Sequence, residues 1–166
     1  MHTSIRLLHS DHVAAEAEAQ RIEQVLARRW NGKASRRLAE EVLSFRDDVL
    51  DPALRNEEQA IASVIREHEG EPPRLREDED TLAHLRDALA RLEAAHRDGK
   101  DVRRDLARVA RGLREYARFE ETAFLPWAER ELGDILLRET DARVRGEGAD
   151  VSEDEEQAAK ALGDLG

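Results

Sequence analysis

The sequence predicts an all-α protein: an up-down-up-down four-helix bundle with a short C-terminal helix and an acidic tail. Three observations carry this expectation. Apolar residues recur three and four apart along four long stretches, the pattern of helices with one face in a core. Ala, Leu, Arg and Glu dominate, while β-branched runs are absent, and this composition favours helix. The interruptions at Asn31-Gly32, Gly70-Glu71-Pro72-Pro73 and Asp98-Gly99 are short, which makes successive helices antiparallel neighbours.

The first stripe runs through Ile5, Leu8, Ala15, Ala19, Ile22 and Leu26. The second holds Leu38, Val42, Phe45, Val49, Ala53, Ala60 and Val64, with Pro52 inside it as an expected kink. The third holds Leu75, Leu82, Leu85, Leu89 and Leu92. The fourth holds Val102, Leu106, Val109, Leu113, Ala123 and Trp127, and it meets Gly133. A fifth, shorter helix is expected from Ile135 to Arg145.

The chain of 166 residues suits one domain, here 1–145, followed by the tail 146–166. The net charge of −11 is concentrated in that tail, where seven acids face one Lys. Such a balance speaks against nucleic acid, which needs clustered Lys and Arg. Without Cys there is neither disulfide nor thiolate chemistry. No run is long and apolar enough to span a membrane, and no leader pattern opens the chain, so the expected setting is cytoplasmic.

Each apolar stripe is interrupted by a polar residue. These are His12 in the first, Glu57 in the second, Glu79 in the third, and Tyr116 with Glu120 in the fourth. A single buried His or Tyr is ordinary in a core. Three carboxyl groups aimed inward are not, because unpaired buried carboxylates are costly and repel one another. They call for a cation, protons or water.

The segments around these residues resemble the hemerythrin-like, or HHE cation-binding, domains. The resemblance covers about residues 5–132 and rests on "LLHSDH", "FRDDVLDPALRNEEQAI", "LREDEDTLAHL" and "LREYARFEETAFLPWAEREL". It implies a non-heme iron centre, often dinuclear, inside the bundle. Three family histidines are replaced: Ala53, Glu79 and Tyr116 stand at their positions. The implied ligands are His12, Glu57, Glu79 and Glu120, with Tyr116 as a further ligand or a hydrogen-bond donor to one.

Two readings follow. In one, a carboxylate-rich centre binds iron(III) or manganese, hard ions suited to oxygen donors, and meets oxygen, peroxide or nitric oxide. In the other, no metal binds and the bundle serves as a regulatory module for a protein partner. Glu16, one turn beyond His12, is a candidate to orient it. His9, His68, His84 and His96 fall at helix ends or off the core lines.

Overall fold

The computed structural model describes residues 3–28 and 32–144. The predicted tail 146–166 and Trp30 lie outside the described residues, as do the side chains of Ile5, Leu8, His9 and Ala60. Among the described residues every regular element is helical: α1 (Thr3–Ala27), α2 (Gly32–Phe45), α3 (Asp51–Glu57), α4 (Ser63–Glu69), α5 (Pro73–Arg97), α6 (Arg103–Phe119) and α7 (Leu125–Val144). None of these helices is long and apolar enough to cross a membrane.

Helices α2, α3 and α4 form one continuous rod. They are joined by two π-helical turns, π1 (Arg46–Leu50) and π2 (Glu58–Ala62), and the backbone stays right-handed helical through each junction. A third π turn, π3 (Glu120–Phe124), joins α6 to α7. Each closes with an N–H bonded five residues back: Asp51 to Arg46, Ser63 to Glu58 and Leu125 to Glu120.

Two of these turns have a cause in the sequence. π1 and π3 are followed, one residue on, by Pro52 and Pro126. A proline inside an α-helix lacks an N–H and drives its ring into the carbonyl four residues back. A widened turn just before it relieves that clash without breaking the rod. At π2 the hydroxyl of Ser63 donates to the Gln59 carbonyl, which its backbone N–H would serve in an α-helix.

Every π turn advances the inward face by one residue, and this corrects part of the predicted core. Val49 is 39% exposed, and Leu50 is buried in its place. Ala123 is only partly buried, while Phe124 is fully enclosed. The first half of each rod follows the simple spacing. Leu38, Val42, Leu106, Val109 and Leu113 are all buried.

The turns follow local signals. Gly70 closes α4 with φ 71°, and Pro73 starts α5 as its first residue. Gly99 closes the turn after α5, and the Asp101 side chain accepts the Arg103 N–H at the start of α6. Gly133, with φ 63° and ψ 175°, interrupts α7, so the segment to Val144 turns back along α4. There Arg143 pairs with Glu67 at 2.7 Å, and His68 lies 3.3 Å from Glu139.

The core has two apolar parts. The larger is built by α1, α2, α3, α5 and α6 and includes Ile22, Leu54, Leu82, Leu113 and Ala117. The smaller, beyond it, contains Ile61, Leu75, Phe124 and Ala128. Between Leu54 and Ile61 stands Glu57; between Leu75 and Leu82 stands Asp78; between Ala117 and Phe124 stands Glu120. A polar layer therefore separates the two parts.

Helices α5 and α6 approach closely at Gly112. A methyl group there would meet Leu85 Cδ1 at 3.2 Å and its backbone Cα at 3.5 Å. Leu85 is fully buried. Gly112→Val is expected to destabilise the fold by about 1–3 kcal/mol, read as a lower urea midpoint. An unchanged midpoint would mean that the two helices are not held this close.

Candidate metal centre

The polar layer gathers side chains from three helical rods and α5. His12 comes from α1, Glu57 from the end of α3, Asp78 from α5, and Tyr116 and Glu120 from α6 and the start of π3. His12 and Glu120 are fully buried, and Tyr116, Asp78 and Glu57 are no more than 4% exposed. Small buried residues stand one turn away on the same helices: Ala15 after His12, and Ala53 before Glu57.

Nitrogen and oxygen atoms converge here. Ligand atoms of His12, Glu57 and Glu120 all lie within 4.8 Å of one another. His12 Nε2 is 3.8 Å from Glu120 Oε2. The Tyr116 hydroxyl donates to Glu57 Oε2 at 2.8 Å and lies 3.5 Å from His12 Nε2. The His12 ring meets the Tyr116 ring edge-on, with centroids 5.4 Å apart.

The carboxyl groups are not neutralised by cations. Glu18, a buried acid elsewhere, is held by Arg21 through two hydrogen bonds. Among the described residues neither Arg nor Lys forms an ion pair with Glu57, Asp78 or Glu120. Glu57 Oε1 and Asp78 Oδ1 are buried without a hydrogen-bond partner, and the Asp78 and Glu120 carboxyls lie against each other within hydrogen-bond reach, a contact that needs a shared proton.

The electrostatics follow from that. Burial, and next the charge of Asp78, pushes Glu57 up to about 8, against the opposing effect of the Tyr116 hydrogen bond. Burial likewise holds Glu120 well above the usual carboxylate range, with Glu57 and Asp78 pushing the same way. Asp78 is raised mainly by burial. The Tyr116 phenol is raised well above its ordinary value, first by burial and then by the two glutamates.

Four of the residues singled out in the sequence therefore meet: His12, Glu57, Tyr116 and Glu120. Glu79 does not. Its side chain is 39% exposed and pairs with Arg66 across the helix surface. Asp78 takes the inward place. Both residues lie within a turn of Leu75 and Leu82, so spacing alone does not separate them. Arg66 provides the difference, because it gives the outward carboxyl a partner at the surface. The candidate role of Glu16 also falls, since Glu16 is exposed and pairs with Arg114 at 3.2 Å.

Donors to one first-row ion sit about 2.0–2.2 Å from it, so two such donors are at most about 4.4 Å apart. The separation of His12 from Glu120 is inside that limit. One imidazole, buried carboxylates and a phenol form a hard donor set, which fits iron or manganese. A second grouping, Glu67, His68 and Glu139, is mostly exposed and already holds the Arg143 guanidinium, which serves as its cation.

Comparison with protein-family models, with curated proteins and with solved structures finds no match to the chain.

A pH dependence follows for the metal-free protein. Between the ordinary value of 4.5 and about 8, folded Glu57 keeps a proton that the unfolded chain has lost. The native state then binds more protons, so stability falls as pH rises through this window. Glu57→Gln removes that ionisation and should flatten the fall, leaving the variant more stable than the unmodified protein at the alkaline end. Urea denaturation across the window tests this, and an equally steep fall in the variant would sink it.

Proposed function

We propose that the protein is a hemerythrin-like, up-down-up-down four-helix bundle that binds a non-heme metal ion, iron or manganese, in a carboxylate-rich centre. The observation that carries the reading is the fully buried Glu120 carboxyl, 3.8 Å from His12 and within reach of Glu57, with no described Arg or Lys paired to it. His12, Glu57 and Glu120 would be the ligands, and a cation among them would neutralise charge that no described Arg or Lys meets. Tyr116 keeps its hydroxyl on Glu57, which fixes the rotamer of that carboxyl and limits its reach. A bound ion would supply redox chemistry toward a small ligand such as oxygen, peroxide or nitric oxide. The seal around the layer admits nothing large, and the expected setting is the cytoplasm.

A second reading has its own support. The Tyr116–Glu57 hydrogen bond satisfies part of the layer without any ion, and carboxyls that keep their protons bury at lower cost. In that case the bundle is a metal-free interaction module.

Elemental analysis of untagged protein from cells supplied with iron and manganese separates the two. The metal reading expects at least one ion per chain. It also expects stabilisation of about 2.7 kcal/mol at a hundredfold excess over Kd, roughly 5–10 °C in melting temperature. Glu57→Ala and Glu120→Ala should lose both. Protein without metal, whose melting is indifferent to iron, manganese and chelator, would leave the interaction module as the answer.

A further inference from the structure

We propose that the groove between α1 and α6 is the entrance by which a small uncharged molecule reaches the polar layer, and that Arg114 is its latch. What the entrance serves rests on the metal reading above, but the passage itself is tested without metal. The groove has a volume of about 560 Å³. Three of its lining residues, Val13, Ala117 and Glu121, directly follow His12, Tyr116 and Glu120 in the chain. Successive residues of an α-helix point roughly 100° apart, so the groove runs along the flank of these layer residues.

The side chains between groove and layer are small. Ala117, 3% exposed, and Ala17 bring only methyl groups, and Val13, 53% exposed, puts an apolar side chain on the rim. On the other rods the neighbours of the layer are larger and buried: Leu54 and Ile61 on either side of Glu57, Leu75 and Leu82 on either side of Asp78. Passing an ion between methyl groups costs it its hydration shell, a cost that an uncharged molecule escapes.

Arg114 of α6 ties this side to α1. Its Nε lies 3.2 Å from Glu16 Oε1, and its Nη2 donates to Glu23 Oε2 at 2.9 Å. Glu16 and Glu23 stand two turns apart on α1, so one guanidinium spans the length of the groove. All three side chains are partly exposed. Ion pairs of this kind are weak and screened by salt, which lets them bias an opening without locking it.

The probe is dissolved dioxygen, which is uncharged and paramagnetic and speeds the NMR relaxation of protons it approaches. Tyr116 is the only tyrosine, so tyrosine labelling gives the layer its own signal. The full chain, freed of metal by chelator, is compared under dioxygen and under nitrogen. Arg114→Met should raise the dioxygen effect at Tyr116 by about 2- to 10-fold. Ala17→Leu, at an exposed position in the groove, should lower it. Added salt should raise the effect in the unmodified protein and leave Arg114→Met unchanged. Phe124, fully buried in the smaller apolar part and not among the residues lining the groove, should not respond.

No change at Tyr116 in either variant overturns the entrance. An equal rise at Phe124 also overturns it, because Arg114→Met has then loosened the whole bundle. Should Arg114→Met fail to fold, as circular dichroism and melting would show, Glu23→Gln cuts one arm of the latch and must raise the effect at Tyr116 in the same way. The readout needs no bound ion, so a failure of the metal reading in elemental analysis and a failure of the entrance are separate results.

Discussion

Three carboxyl groups in one buried layer, with one imidazole and no described Arg or Lys to meet them, are the constraint on which the rest of this molecule turns. An apolar core gains stability by excluding water, and excluding water makes each of these groups expensive to ionise. The layer divides the core into two apolar parts, and the helices on every side must present the polar group and its apolar neighbours at one depth. A core free of this layer would be more stable, and residues that cost stability without repaying it in packing tend to mark functional sites.

The π turns are how the rods meet that demand. π2 starts directly after Glu57, and π3 starts at Glu120 itself. Each shifts the inward face by one residue, so that Ile61 and Phe124 close the layer from the far side. Ile61 and Phe124 supply the bulk of the smaller apolar part, while Ala123 beside Phe124 is only partly buried. Widened turns of this kind are often found at functional sites, where a regular helix cannot aim its side chains as needed.

Much of this was legible in the sequence. The helical repeat placed the rods, and Gly70, Pro73, Gly99 and Gly133 marked their ends. His12, Glu57, Tyr116 and Glu120 stood out because each broke an apolar stripe, and the structure brings all four together. What spacing could not resolve was a choice between neighbours. Asp78 and Glu79 are equally compatible with the stripe through Leu75 and Leu82, and a long-range pairing with Arg66 decides between them. Val49 and Ala123 lie off the core for a related reason: the helical period does not carry across turns that are not α-helical. Pro52 and Pro126 were visible as irregularities, but a proline announces a disturbance without saying whether the helix kinks or widens.

The donors of the layer also have a topological meaning. His12, Glu57 and Glu120 are tens of residues apart along the chain and belong to separate rods. An ion shared by them would act as a cross-link that closes two large loops. Closing such loops removes conformational freedom chiefly from the unfolded chain, so the benefit would appear as resistance to unfolding across the whole bundle. Because the donors are sealed from solvent, the ion could leave only when the rods part. Its residence time would then report how often the bundle opens.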